Sequence, residues 1–118
     1  MTLLEKRQLF TENLAKLIEY AINIGYKVSI GEVERSKAQA EANAKAGIGI
    51  KNSLHTLGLA VDLNLYKNGK YLENSEDHVE LGKFWESLST PEAKHRWGGR
   101  FISRRDGNHY SIEHEGRA

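Results

Sequence analysis

The sequence predicts an α+β domain in which helices pack on a small antiparallel sheet. Three observations predict it. Residues 2–24 repeat apolar side chains at helical spacing. Residues 59–66 alternate at strand spacing and run into an Asn-Gly turn. Helical and strand segments follow one another without the βαβ rhythm of a parallel sheet. The 118 residues make one domain, 1–118, long enough to bury a core without staples.

The elements follow in chain order. In 2–24 the apolar residues Leu3, Leu4, Phe10, Leu14, Leu17, Ile18, Ala21 and Ile22 recur at spacings of three and four, and Gly25 is the expected stop. Residues 26–33 alternate, Val28 and Ile30 against Lys27 and Ser29, as a strand with one wet face. Residues 36–46, rich in Ala, Gln, Lys and Glu, read as a short helix, and Gly47 and Gly49 open a loop to about 53. The clearest strand sets Leu59, Val61, Leu63 and Leu65 against Ala60, Asp62, Asn64 and Tyr66. Asn68-Gly69 then turns it into a return strand at 70–72. Residues 75–88 read as a helix burying Val79, Leu81, Phe84, Trp85 and Leu88. Pro91 and Gly98-Gly99 bound an irregular stretch. Residues 101–103 and 109–113 read as two short strands, turning at Asp106-Gly107.

Composition narrows the function. Lys plus Arg is 17 and Asp plus Glu is 16, a net charge of +1, which argues against a nucleic-acid binder. With no cysteine there is no disulfide framework, thiolate metal site or cysteine nucleophile. Charge is uneven: 73–86 holds five acids and one lysine, and 94–105 holds five bases and no acid. Solvated faces explain most of these charges. The sequence shows neither a transmembrane run nor a secretory signal, so the expectation is synthesis in the cytoplasm and no membrane insertion.

Four side chains stand out for chemistry. Asp62 interrupts the apolar strand on the face it shares with Ala60 and Asn64, where a carboxylate would have to look into a cleft or lie buried unpaired. His55 precedes that strand, with Gly58 allowing a tight turn, so the two could meet at one ion. A solvated histidine and a turn-capping aspartate is the competing reading. His109 begins the last strand, with Asp106 three residues earlier across the turn. Two histidines and one carboxylate make a three-ligand zinc site with an open fourth position, the catalytic pattern. A further carboxylate beside it can serve as proton acceptor.

These residues carry a family resemblance. Ser53-Leu54-His55-Thr56-Leu57-Gly58-Leu59-Ala60-Val61-Asp62 resembles the S-x-H-x-x-G-x-A-x-D signature of the zinc D,D-carboxypeptidases that cleave peptidoglycan stem peptides, a family whose phage members include L-alanyl-D-glutamate endolysins. Asp106-Gly107-Asn108-His109 is similar to its second motif, acidic-x-x-His. Glu32-Val33-Glu34-Arg35-Ser36, followed by Gln39, is similar to the strand bearing its arginine, and Trp97-Gly98-Gly99-Arg100-Phe101 to the segment before the second motif in phage-type members. The first motif fixes five positions in ten residues, and the others flank it in the family's order.

The resemblance implies a Hedgehog/D,D-peptidase-like fold and one Zn2+ per chain held by His55, Asp62 and His109. It implies Asp106 as general base and then acid, Arg35 at the oxyanion or a substrate carboxylate, and Ser53 and Gln39 in substrate contact. Many carboxypeptidase members carry Glu where this chain has Asp106, and the shorter base suits the phage endopeptidase branch. The implied activity is hydrolysis of the L-Ala–D-Glu bond, with D-Ala–D-Ala carboxypeptidase as runner-up. A non-catalytic, zinc-stabilised wall-binding or tail module is the alternative from another class. The expected partner is the stem peptide, met by a monomer without a wall-binding domain; a lytic role would need a separate membrane-permeabilising protein. Bland readings stand beside these. Arg35 can be a surface cation, Ser53 a loop cap, Gln39 solvent-facing and Trp97 core. His78, His95 and His114 read as surface residues, and His114 faces away from His109.

Overall fold

The computed structural model describes residues 1–31, 54–101 and 106–118. Helix α1 (Leu3–Asn23) begins with a capping box: the Thr2 hydroxyl accepts from Glu5 N–H, and Glu5 accepts from Thr2 N–H. It ends in a Schellman motif, with Gly25 at φ +102°, Gly25 N–H on Ile22 O and Tyr26 N–H on Ala21 O. The stripe it buries is Phe10, Asn13, Leu17 and Ala21, whereas Leu4 and Ile22 stay exposed.

Strand β1 (Lys27–Ile30) pairs antiparallel with β2 (Ala60–Lys67). Its alternation is weaker than expected, for Val28 is half-buried and Ile30 exposed. The expected helix at 36–46, the loop to 53 and most of the strand expected at 101–103 lie outside the described residues. Strand β2 turns at Asn68 and Gly69, both at positive φ as a type I′ turn requires, into β3 (Lys70–Leu72).

A 3-10 turn (Ser75–His78) leads into α2 (Val79–Ser87), which buries Leu81, Gly82 and Trp85. Strand β4 (His95–Trp97), inside the stretch expected to be irregular, pairs with β5 (His109–Ile112). The sheet runs β1-β2-β5-β4, with β3 also on β2.

Helices α1 and α2 cover the sheet. Phe10 meets Trp85 edge-on at 5.6 Å and Tyr20 stacks on Phe84 at 4.3 Å. Trp85 is fully buried and donates its indole N–H to Ser111 O at 3.0 Å, fixing α2 to β5. None of the described helices is long and apolar enough to cross a membrane.

Two histidines expected at the surface are in the core: His78 is 3% exposed and His95 2%. His95 donates from Nδ1 to Ala93 O at 3.0 Å and accepts on Nε2 from the Asn13 amide at 2.8 Å. Its ring lies 4.6 Å from that of Trp85. His78 Nδ1 is 2.7 Å from the Tyr110 hydroxyl. Burial drives both histidines toward the neutral form, His78 down to about 4, and pushes the Tyr110 phenol up. Asn13, a polar residue on an otherwise apolar helix stripe, is the sequence signal for such a buried partner. His114 is half-buried and meets Lys6 Nζ at 3.1 Å.

Candidate metal centre

Three elements deliver three side chains to one point. A 3-10 turn (Leu54–Leu57) carries His55 and closes through Leu59 N–H on Leu54 O at 3.1 Å. Gly58 leaves it at φ +72°, which an L side chain rarely adopts. Arg7 of α1 anchors the turn by donating Nε–H to Leu57 O. Strand β2 supplies Asp62 and β5 supplies His109.

His55 Nε2 lies 3.6 Å from Asp62 Oδ1, and His109 Nδ1 lies 3.4 Å from the same oxygen. The imidazole centroids are 5.3 Å apart, and one ligand atom from each of the three residues falls within 4.8 Å of the others. Both histidines are buried, and Asp62 is half-buried. Phe101 packs on His109 at 5.6 Å between ring centroids.

The far side of His109 sets its tautomer. Nε2 lies 3.3 Å from Ala118 O, a backbone oxygen that can only accept, so Nε2 carries the hydrogen and Nδ1 presents a lone pair toward Asp62. Asp62 Oδ1 is buried with no hydrogen-bond partner among the described residues. Two electron-rich atoms therefore face each other in a buried space, which costs free energy unless a cation lies between them. Two imidazoles and one carboxylate suit a tetrahedral divalent ion with one position left open. The residues present fit such an ion.

Asp106 stands at the turn into β5. Its N–H donates to Gly98 O at 3.0 Å, and its carbonyl accepts from His109 N–H at 3.1 Å. It lines a polar depression of about 190 Å³ together with Glu73, Ser75, His78 and Asn108. Of the basic stretch, Arg100 reaches Glu86 with two hydrogen bonds of 3.2 Å, and Arg96 reaches Glu113 at 3.1 Å. Trp97 is core, at 3% exposed. Arg35, Gln39 and Ser53 lie outside the described residues.

The small antiparallel sheet brings His, Asp and His from separate elements to one buried point that could hold a metal ion. A sequence model of the family described as D-alanyl-D-alanine carboxypeptidase matches residues 46–112, more than half of the chain, and the chain belongs to that family. It is a peptidase acting on peptidoglycan. The fold is similar to that of the crystal structure of the Serratia marcescens L-Ala D-Glu endopeptidase ChiX, with a TM-score of 0.68 and 22% sequence identity over 86% of this chain and 79% of that chain. No curated protein matches the chain.

Proposed function

We propose that this chain is a zinc-dependent endopeptidase that hydrolyses the L-Ala–D-Glu bond of peptidoglycan stem peptides, as a phage-type endolysin does. The carrying observation is the buried meeting of His55, Asp62 and His109 around an Asp62 oxygen that lacks a hydrogen-bond partner among the described residues. The choice of bond is supported by the ChiX likeness and by the shorter base, Asp106, where many carboxypeptidases of the family carry Glu.

In this reading His55, Asp62 and His109 hold one zinc ion per chain. When bound, the ion supplies Lewis acidity that polarises the scissile carbonyl and acidifies water near neutral pH. Asp106 accepts the proton of the attacking water and returns it to the leaving amine. Arg35 stays charged at every working pH and stabilises the developing oxyanion or holds a substrate carboxylate. Ser53 and Gln39 contact the peptide. The acting unit in this reading is a monomer, which the presence of all three ligands on one chain supports.

The D-Ala–D-Ala carboxypeptidase reading stays in second place because the matching family model bears that description. Mass spectrometry of fragments released from purified peptidoglycan separates the two. New N-terminal D-Glu on the stem supports the endopeptidase, and free D-Ala alone overturns it.

A further inference from the structure

Gly107, the residue after Asp106, is held through both of its backbone groups. Gly107 N–H donates to Ser75 Oγ at 3.0 Å, and Gly107 O accepts the buried indole N–H of Trp97 at 2.6 Å. The flanking bonds continue the grip, through Asp106 N–H on Gly98 O, His109 N–H on Asp106 O and Leu63 N–H on Asn108 O. The fit leaves no slack. A Cβ on Gly107 would stand 2.4 Å from Ser75 Cα, and one on Gly98 would stand 2.0 Å from Asp106 O.

Trp97 cannot shift to follow a moving turn. A Cβ on Gly82 or on Gly99 would stand 2.2 Å from its ring, so both neighbours are already in close contact with it. The Arg100 guanidinium lies over the indole at 5.6 Å. A tryptophan placed only for packing needs an acceptor for its N–H but no particular one. This one bonds the Gly107 carbonyl, one residue past Asp106 on the way to His109.

We propose that Trp97 and Ser75 are positioning residues that fix the Asp106 carboxylate relative to the His55–Asp62–His109 centre. The inference rests on Asp106 acting as the base. Trp97 is buried and acts only through the turn. A displaced base slows proton transfer without weakening peptide binding, and small displacements of a reacting group cost roughly ten- to a hundredfold in rate.

The test uses zinc-loaded protein and a synthetic stem peptide. Trp97→Phe and Ser75→Ala are made alone and in an Asp106→Ala background, and kcat, KM and bound metal are measured. The expected result is a ten- to hundredfold fall in kcat at unchanged KM and metal content, with no further fall in the Asp106→Ala background. Ser75→Ala removes only a half-buried hydroxyl and carries the test alone if Trp97→Phe does not fold. Wild-type kcat in the Trp97 and Ser75 variants, with Asp106→Ala inactive, overturns the inference and leaves the base in place. An equal fall with and without Asp106 also overturns it, because the effect then runs through the metal ligands or the fold. A fully active Asp106→Ala protein overturns the base assignment itself, and the inference with it.

Discussion

Asp62 and His109 are direct partners across the β2–β5 ladder. Leu63 N–H bonds Asn108 O, and Ile112 N–H bonds Leu59 O. The pairs alternate between these bonds, so Asp62 and His109 form a non-hydrogen-bonded pair, the kind in which side chains approach most closely. The sheet register itself thus sets the 3.4 Å approach of Nδ1 to Oδ1. A slip of one residue would turn His109 to the opposite face and dismantle the centre.

Metal binding should follow this geometry. His55→Ala, Asp62→Ala and His109→Ala should each lose the ion, while the wild type binds about one zinc per chain. Elemental analysis of gently purified protein reads the outcome. Full occupancy in any of the three variants would remove that residue from the ligand set.

Asp106→Ala should retain zinc and fold and lose hydrolysis by on the order of a hundredfold or more. Bound metal, circular dichroism and peptide turnover are measured on the same sample. If metal is lost and activity per bound metal is unchanged, Asp106 is a support for the centre and not its base.

The buried histidines should make the fold acid-sensitive. Burial lowers His78 from 6.5 to about 4 and lowers His95 as well. Between those values the unfolded chain binds more protons than the folded one. Stability is therefore full above about pH 6.5 and declines as pH falls toward 4. For His78 alone the loss at the acid end is about 3 kcal/mol. Urea unfolding of chelated protein at a series of pH values measures it without interference from metal release, and His78→Gln should flatten the slope.

Gly82→Ala sets helix propensity against packing. Alanine in α2 gains up to about 1 kcal/mol over glycine. Its Cβ would meet the Trp97 ring at 2.2 Å, and that ring is tied by its hydrogen bond to Gly107 O. Overpacking costs typically about 1–3 kcal/mol, so the net change should be destabilising. An unchanged or raised melting temperature would show that the indole has room to move.

Where local chemistry determines structure, the sequence was legible. Thr2 with Glu5 caps α1, Gly25 ends it, and Asn68-Gly69 turns the hairpin, each through bonds within a few residues. Asp62 was conspicuous because a carboxylate has no place in an apolar strand without a partner. Strand β4 was not legible, because three residues, His95-Arg96-Trp97, are too few to display a period, and it forms only because β5 offers an edge. The burial of His78 and His95 depends on Tyr110, Asn13 and Ala93, contacts that only the tertiary fold creates.

Zinc dependence is read by titrating metal-stripped protein with zinc while following hydrolysis of purified peptidoglycan. Activity should be absent at the start, rise in proportion to bound zinc and saturate at about one ion per chain. Full hydrolysis by the metal-free protein would rule out a zinc-dependent peptidase.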